Sequence, residues 1–254
     1  MAITIKSERE IELMAEAGKI LERVHNDLEK ALRPGMSTKD IDTLGEEIIR
    51  SYGCIPSFLN YNGYPASICV SVNQEVVHGI PDKHRIIQEG DIVSLDAGVI
   101  YKGYHSDAAR THAVGETSEE AKKLIQVTKE CFFEGIKFAK AGNHLFDISG
   151  AIGRYAEERG YGVVRDLCGH GIGTALHEAP EIPNYEVGRK GVRLRPGMTL
   201  AIEPMINIGT YEVDWLDDDW TVVTRDGSLS AHYENTILIT EGEPRILSLT
   251  CENE

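Results

Sequence analysis

The sequence is poor in cysteine, in long apolar runs and in positive charge, and each shortage excludes a class of protein. Its five cysteines are odd in number and scattered, and no C-x-x-C pair occurs. That pattern favours reduced thiols over a disulfide framework or a structural zinc site. No apolar run approaches the roughly 18 residues of a membrane-spanning helix. The N-terminal residues carry charges throughout and lack an apolar core, so we expect no signal peptide and predict a cytoplasmic protein.

The shortage of positive charge excludes a further class. The 26 lysines and arginines are outnumbered by 41 acids, which gives a formal net charge of -15. Because an acidic chain repels phosphate backbones, we expect no binding to nucleic acid. Hydrophobic residues make up 41% of the 254 residues, which is enough for a sizeable core in one α/β body.

Capping boxes mark two helix starts near the N terminus. In Ser7-x-x-Glu10 and Ser37-x-x-Asp40, each side chain can bond the backbone N–H of the other residue, and apolar residues follow at helical spacing. Further helices are predicted at about 117–140 and 147–159. Strand-like runs are Ile68–Val72, Ile92–Leu95, Leu200–Ile206 and Thr236–Thr240. No low-complexity linker separates these parts, so we predict a single domain over residues 1–254.

A weak internal repeat divides the sequence into two halves, roughly 8–116 and 117–250. At an offset of 107, Gly35…Asp40…Gly53 matches Gly142…Asp147…Gly160, and Gly90…Asp96 matches Gly197…Glu203. At an offset of 99, His78 pairs with His177, and at 127, His105-Ser-Asp107 pairs with His232-Tyr-Glu234. Unless these short matches arise by chance, two halves meet about a pseudo-dyad with four acids facing each other.

Asp96 and Asp107 flank a turn around Tyr101-Lys102-Gly103. A hairpin centred between Tyr101 and Lys102 makes the two acids direct cross-strand neighbours, with Cβ atoms roughly 4.5–5.5 Å apart. Two carboxylates that close repel strongly unless a cation lies between them. The apolar neighbours of Asp96 predict burial, which raises the cost further. The pattern indicates a cation site; the alternative is a pair of surface acids on a hairpin.

The second half contributes two more acids and a histidine. Glu203 lies in an apolar segment, where a buried glutamate needs a counter-charge, and Glu234 lies at the mouth of a predicted strand. His170 stands between glycines, which let the backbone approach closely and leave the imidazole accessible. Four carboxylates and one histidine form an oxygen-rich set. It suits two ions of Mn, Fe(II) or Co, about 3.5–4 Å apart, with Zn as an alternative.

Six motifs together resemble those of the methionine aminopeptidase family over nearly the whole chain. They are Leu95-Asp-Ala-Gly98, Tyr104-His-Ser-Asp107, Gly169-His-Gly-Ile-Gly173, Leu176-His-Glu178, Ile202-Glu-Pro-Met205 and His232-Tyr-Glu-Asn235. The resemblance implies an α+β pita-bread fold, in which two pseudo-symmetric halves form a central curved antiparallel sheet covered by helices. It also implies that two divalent metal ions bind to Asp96, Asp107, His170, Glu203 and Glu234.

The same resemblance implies roles for two histidines and a methionine pocket. His177 is expected to hydrogen-bond the scissile carbonyl region, His78 to lie near the scissile nitrogen, and Glu203 to shuttle a proton. The positions expected to line the pocket are Phe58, Tyr61, Tyr64, Cys69, Leu176 and Trp220, whose soft apolar walls suit a thioether. Leu176 replaces an expected aromatic residue, and Phe58 stands where some relatives carry cysteine. For each residue alone, an ordinary structural role is the alternative.

The implied activity is metal-dependent removal of the initiator methionine from new polypeptides whose second residue is small. Its partners are nascent N termini that start with methionine; a contact with the ribosome is left open, and we expect a monomer. Only 33 residues separate His170 from Glu203, too few for the helical insert of type II relatives. No Cys-rich zinc segment precedes the first predicted helix, and we therefore predict the bacterial type I branch.

Two other interpretations stay open. A prolidase or proline aminopeptidase would share the fold and the metal set, but such relatives usually carry a large N-terminal domain that we do not expect here. A binding protein or a creatinase-like hydrolase on the same fold would work without metal. Such proteins are expected to lose ligands, whereas all five implied ligands are present in this sequence.

Overall fold

In residues 3–249, which the computed structural model describes, the chain forms four α-helices and fifteen short β-strands. The helices are α1 Glu8–Ala31, α2 Thr38–Ser51, α3 Glu119–Ile136 and α4 Leu145–Glu157, with a 3-10 turn at Tyr61–Gly63. The strands are β1 Ile55–Pro56, β2 Ile68–Val72, β3 Glu75–Val77, β4 Ile92–Tyr101, β5 Tyr104–Ala113, β6 Gly162–Val163, β7 Gly169–Gly171, β8 Glu178–Ile182, β9 Thr199–Ile202, β10 Met205–Asn207, β11 Val213–Trp215, β12 Val222–Thr224, β13 Ser230–His232, β14 Asn235–Leu238 and β15 Arg245–Ile246. None of these helices is long and apolar enough to cross a membrane.

The helices begin where the capping signals predict. Ser7 accepts from the Glu10 N–H and Glu10 accepts from the Ser7 N–H at 2.7 Å, so the first capping box is complete. The second box, between Ser37 and Asp40, is complete in the same way. The later helices lie within four residues of the predicted bounds, and α3 starts after a Ser118 cap. Local capping chemistry therefore sets the helix starts.

Every strand pair is antiparallel, and the strands form four sheets among the described residues. Helices α1 and α2 pack on β2 and β4 through an apolar cluster that includes Leu21, Ile41 and Leu95. Helices α3 and α4 pack on β9, β10 and β14 through a second cluster that includes Ile148 and Leu200. The predicted α+β arrangement of antiparallel strands covered by helices is confirmed.

Backbone contacts recur between the two halves at the offset of 107. Ser37 bridges Ile86 as His144 bridges Arg193. The Gly35 N–H donates to the Ile87 carbonyl at 2.9 Å, and the Gly142 N–H donates to the Leu194 carbonyl at 3.0 Å. The strands β4 and β9 also begin at equivalent positions, and they carry Asp96 and Glu203 to equivalent places. The bounds of the two halves, 8–116 and 117–250, and the single domain over 1–254 stay predictions.

One predicted strand is in fact two. The run Leu200–Ile206 is broken at Glu203-Pro204 into β9 and β10, which join different sheets. Proline has no backbone N–H to give to a ladder, and the chain leaves one sheet for the other at this point. Glu203 thus lies at a strand end, where its side chain can point into the space between the sheets.

Candidate metal centre and substrate pocket

The β4–β5 hairpin brings Asp96 and Asp107 together, although not in the predicted register. Tyr101 pairs with Tyr104, so the turn is Lys102-Gly103. Both residues have positive φ, 48° and 87°, as a two-residue type I′ turn requires. Asp96 is therefore opposite Ala109, and Asp107 is opposite Gly98. The predicted direct pairing is wrong: the two acids are diagonal neighbours on one face of the hairpin, close enough that, beyond the effect of burial, Asp96 raises the pKa of Asp107.

The second half adds a histidine and two acids to the same place. His170 lies in β7 with its Nε2 3.6 Å from Glu203 Oε1 and 3.9 Å from Asp107 Oδ2. Donor atoms of Asp107, His170 and Glu234 lie within 4.8 Å of one another, and all three residues are buried. Asp96 and Glu203 are partly exposed. All five residues predicted as metal ligands therefore meet in one cluster, with Asp96 and Glu203 toward its open side.

Two threonines show how the halves correspond at this cluster. Thr236 Oγ1 accepts from the Asp107 N–H and donates to the Asp107 carbonyl, both at 2.9 Å. Thr111 Oγ1 makes the same two bonds with the backbone of His232, again at 2.9 Å. Thr111 is thus equivalent to Thr236, and Asp107 to His232, at an offset of 125.

The predicted offset of 127, which paired Asp107 with Glu234, is wrong for this segment. The equivalent of Glu234 is Ala109, and the two residues exchange backbone hydrogen bonds across the pseudo-dyad. A slip of two residues keeps every side chain on the same face of a strand. A short match such as His-x-acid therefore cannot detect it.

The electrostatics of the cluster call for a counter-charge. Burial, together with the neighbouring acids, raises the pKa of Asp107 and of Glu234 well above the ordinary range. Burial also raises the pKa of Asp96 and of Glu203. In the described part of the chain, one carboxylate oxygen each of Asp96, Asp107 and Glu234 is buried without a hydrogen-bond partner. Four carboxylates in this setting fit divalent cations, which would satisfy the oxygens and allow the acids to ionise.

The two predicted catalytic histidines lie beside the cluster. The His170 Nδ1 bonds the Gly171 carbonyl at 2.9 Å, and the His170 and His177 rings are 4.1 Å apart at their centroids. The His177 Nδ1 lies 2.7 Å from the Tyr61 hydroxyl. His78 meets the edge of Trp220, with ring centroids 6.2 Å apart. Burial lowers the pKa of His177 and lowers that of His78 to about 4, so both rings are neutral near pH 7.

The six residues predicted to line the methionine pocket share one apolar cluster. Phe58, Tyr64, Cys69 and Leu176 are buried in it, and Tyr61 and Trp220 pack against it. Tyr64 meets the edge of Trp220, with centroids 5.1 Å apart, and its hydroxyl donates to the Gly79 carbonyl at 2.9 Å. The four described cysteines, Cys69 among them, are free thiols; Cys251 lies outside the described residues.

Two site residues were missed at the level of sequence. His232 Nε2 lies 3.7 Å from Glu203 Oε2, and neither ring nitrogen has a hydrogen-bond partner among the described residues. The sequence did contain a signal for His232. It lies two residues before Glu234, and this spacing places both side chains on one side of an extended segment. Ile172 is buried within the pocket cluster, but it directly follows β7 in a glycine-rich segment, where an isoleucine carries no distinguishing signal.

A cleft of about 610 Å³ lies beside the two histidines. Its lining includes His170 and His177, together with Phe146, Pro183 and Arg189. This volume lies within the usual range for ligand sites, roughly 300–1,000 Å³. Through His170, the cleft adjoins the acid cluster, and through His177 it adjoins Tyr61 of the apolar pocket.

The chain belongs to metallopeptidase family M24, whose match spans residues 12–241. Within that family, it belongs with the methionine aminopeptidases. The methionine aminopeptidase of Clostridium acetobutylicum is 58% identical over 250 residues, which cover 98% of this chain and 100% of the relative. The crystal structure of the methionine aminopeptidase from Thermotoga maritima matches with a TM-score of 0.96 and 47% identity, over 98% of this chain and 100% of that chain.

The prolidase branch is similar at a greater distance. The Xaa-Pro dipeptidase of Bacillus anthracis matches with a TM-score of 0.77 and 28% identity, over 97% of this chain but only 62% of that chain. The predicted family, its bacterial branch and the pita-bread fold of two pseudo-symmetric halves are therefore confirmed. The prolidase and metal-free alternatives are not favoured.

Proposed function

We propose that the chain removes the N-terminal methionine from polypeptides whose second residue is small. We further propose that Asp96, Asp107, His170, Glu203 and Glu234 hold two divalent cations for this reaction. The observation that carries the proposal is the cluster of four carboxylates and one imidazole beside an apolar pocket and an open cleft. Its donor set favours Mn, Fe(II) or Co, with Zn as an alternative.

Bound there, divalent cations supply Lewis acidity, which activates water near neutral pH and offers the substrate's free α-amine a ligand position. The protein's own residues do the rest. The apolar cluster of Tyr64, Cys69 and Trp220 receives the methionine side chain, whose flexible thioether packs well against such walls. We propose that this pocket holds the first side chain alone and that the rest of the polypeptide leaves through the cleft past His177, so a small second residue is expected.

His177 is suited to bind the scissile carbonyl. If the Tyr61 hydroxyl donates to Nδ1, the neutral ring carries its proton on Nε2. That N–H can then donate to the carbonyl oxygen while negative charge develops on this oxygen. Such stabilisation of the oxyanion is often the largest contribution to catalysis. Neutral His78, held beside Trp220, is proposed to contact the scissile nitrogen.

Glu203 is the proposed proton carrier. It lies at the end of β9, its side chain is 14% exposed, and His170 and His232 are its neighbours. Burial raises its pKa, so its carboxyl group can take a proton from water and return it to the leaving amine. Asp96, its equivalent in the first half, is proposed to act as a ligand only.

The setting of the reaction is also a proposal. We place the protein in the cytoplasm, acting as a monomer on nascent chains that begin with methionine, with contact to the ribosome as a further possibility to test. Two features support this: the described cysteines are free thiols, and the cleft leaves room for a polypeptide beyond the first residue.

The test uses protein stripped of metal and reloaded with Mn, Fe(II), Co or Zn. We expect metal-dependent release of methionine from Met-Ala-Ser, and no cleavage of Gly-Pro peptides. Cleavage of the prolyl peptide instead would move the chain to the prolidase branch. No cleavage with any ion would overturn the proposal. Bound metal per chain, measured in parallel, should fall from two toward zero when the ligands are replaced.

A further inference from the structure

Lys6 and Glu178 form a buried ion pair beside the cleft. Lys6 Nζ lies 2.7 Å from Glu178 Oε2, and the two side chains are only 4% and 12% exposed. The Thr4 hydroxyl donates to the same oxygen at 2.6 Å. The other oxygen, Oε1, accepts from the Ala175 N–H at 3.3 Å. Since Glu178 directly follows His177, these bonds hold the turn that carries the His177 ring.

The surrounding backbone leaves space for this pair. A Cβ atom on Gly173 would lie 2.4 Å from Lys6 Cε and 2.5 Å from Glu178 Oε1. A Cβ atom on Gly197 would lie 2.7 Å from the Ile5 side chain, and the Gly197 carbonyl accepts from the Lys6 N–H at 2.8 Å. Two glycines of the second half thus admit the N-terminal segment of residues 3–6, and side chains at either position would exclude it.

We propose that Lys6 is a positioning residue for His177: its ammonium group holds Glu178 and thereby fixes the turn of residues 173–178 that presents the His177 ring to the cleft. The inference rests on the proposed function, which gives His177 its task. Tyr61 fixes the rotation of the ring through Nδ1, whereas Lys6 fixes the backbone beneath it. The ring is therefore held from two sides by residues far apart in the sequence.

Removal of the ammonium group leaves a carboxylate in a buried position with fewer partners. Burial raises the pKa of Glu178, but the hydrogen bonds from Lys6 and Thr4 outweigh it and leave the pKa below its ordinary value. The group is thus charged at neutral pH. Without Lys6, it is drawn toward water, and the turn moves with it. A displacement of about 1 Å at a catalytic group can lower a rate by about 100-fold.

The first test compares Lys6→Met with two other variants on Met-Ala-Ser. We expect Lys6→Met to lower kcat by about 10- to 100-fold while both metals stay bound. Lys6→Arg, which keeps charge and donors, should retain most of the activity. Lys19→Met is the matched control, because its ion pair with Glu16 is exposed, at 39% and 53%. Unchanged kcat in Lys6→Met would overturn the proposal.

The second test asks whether Lys6 acts through His177. In a His177→Ala background, we expect Lys6→Met to lower kcat by less than about twofold, because the two changes share one effect. A full additional loss in the double variant would show a merely structural role and overturn the proposal.

The third test does not depend on activity. Amide hydrogen exchange of residues 173–178 should be faster in Lys6→Met and unchanged in Lys19→Met, with exchange of α3 and α4 equal in both. Equal exchange in the turn would overturn the positioning role. If wild-type protein left Met-Ala-Ser uncut, the proposed function would fail, and this measurement would still decide whether Lys6 holds the turn.

Discussion

The two halves share a backbone frame but not its chemistry. Ser71 pairs with Ser94 in β2–β4 as His170 pairs with Ala201 in β7–β9, and Ser94 and Ala201 are equivalent at the offset of 107. The equivalent positions, first half before second, are thus Ser71 and His170, Asp96 and Glu203, Asp107 and His232, and Ala109 and Glu234. Only Asp96 and Glu203 carry the same kind of group.

The repeated backbone and the side chains on it have separate roles. The repeated hydrogen bonds of Thr111 and Thr236 set the backbone at the dyad in both halves. The proposed ligands differ between the halves, because the single imidazole ligand, His170, belongs to the second half. We therefore expect the two cation positions to differ in affinity, because imidazole and carboxylate ligands prefer different ions.

The largest expected difference between equivalents is at Asp96 and Glu203. Glu203→Gln should lower kcat by about 100- to 10,000-fold through loss of proton transfer. Asp96→Asn should act chiefly by weakening cation binding. Steady-state kinetics at saturating metal, with bound metal measured per chain, separate the two. Full recovery of Glu203→Gln by excess metal would show that the two acids are alike.

His177 and His78 form the next contrast. His177→Ala should lower kcat by about 100- to 1,000-fold, as expected for loss of a donor to a developing oxyanion. His78→Ala should cost only about tenfold, as expected for a group that orients the substrate. Metal content should be unchanged in both variants, which serves as the control. Equal losses of kcat would mean that the two histidines have equivalent roles in the reaction.

The two threonines test the frame itself. Thr111→Val and Thr236→Val each remove two hydrogen bonds to the opposite half, and Thr111→Val also removes the 2.8 Å bond with Ser94. Each should lower the free energy of unfolding by about 1–3 kcal/mol. Only Thr236→Val disturbs Asp107, a proposed ligand, and should weaken metal binding by about 10-fold. Urea unfolding of the apo proteins and metal titration measure the two effects. Weaker binding in Thr111→Val as well would assign His232 a part in holding the cations.

The smallest expected effect lies where β3 of the first half joins β12 of the second. Burial raises the pKa of Glu75 on β3, so the folded state binds its proton more tightly than the unfolded state. Stability is then greatest below the unfolded pKa and is lost as pH rises through the raised value. Glu75→Gln, which keeps an acceptor for the Val72 N–H, should stabilise the protein slightly at neutral pH and not in acid. Urea unfolding at both pH values measures this.

Local signals in the sequence predicted much of the fold. The capping boxes at Ser7 and Ser37 placed two helix starts, and strand β2 has the predicted bounds. The five proposed ligands were predicted because buried acids and a glycine-flanked histidine are conspicuous.

The predicted registers, in contrast, were wrong. The hairpin turn is one position later than predicted, and Asp107 matches His232 rather than Glu234; both errors preserve the face of a strand. Long-range contacts such as that of Lys6 with Glu178 leave no local pattern at all.

The bond between Asp107 and Thr236 spans 129 residues. During synthesis, Asp96 and Asp107 leave the ribosome while the strand that anchors Asp107 has not yet been translated. At ~5–20 residues per second, the delay is roughly ten seconds. An unfinished chain therefore holds only half of the centre.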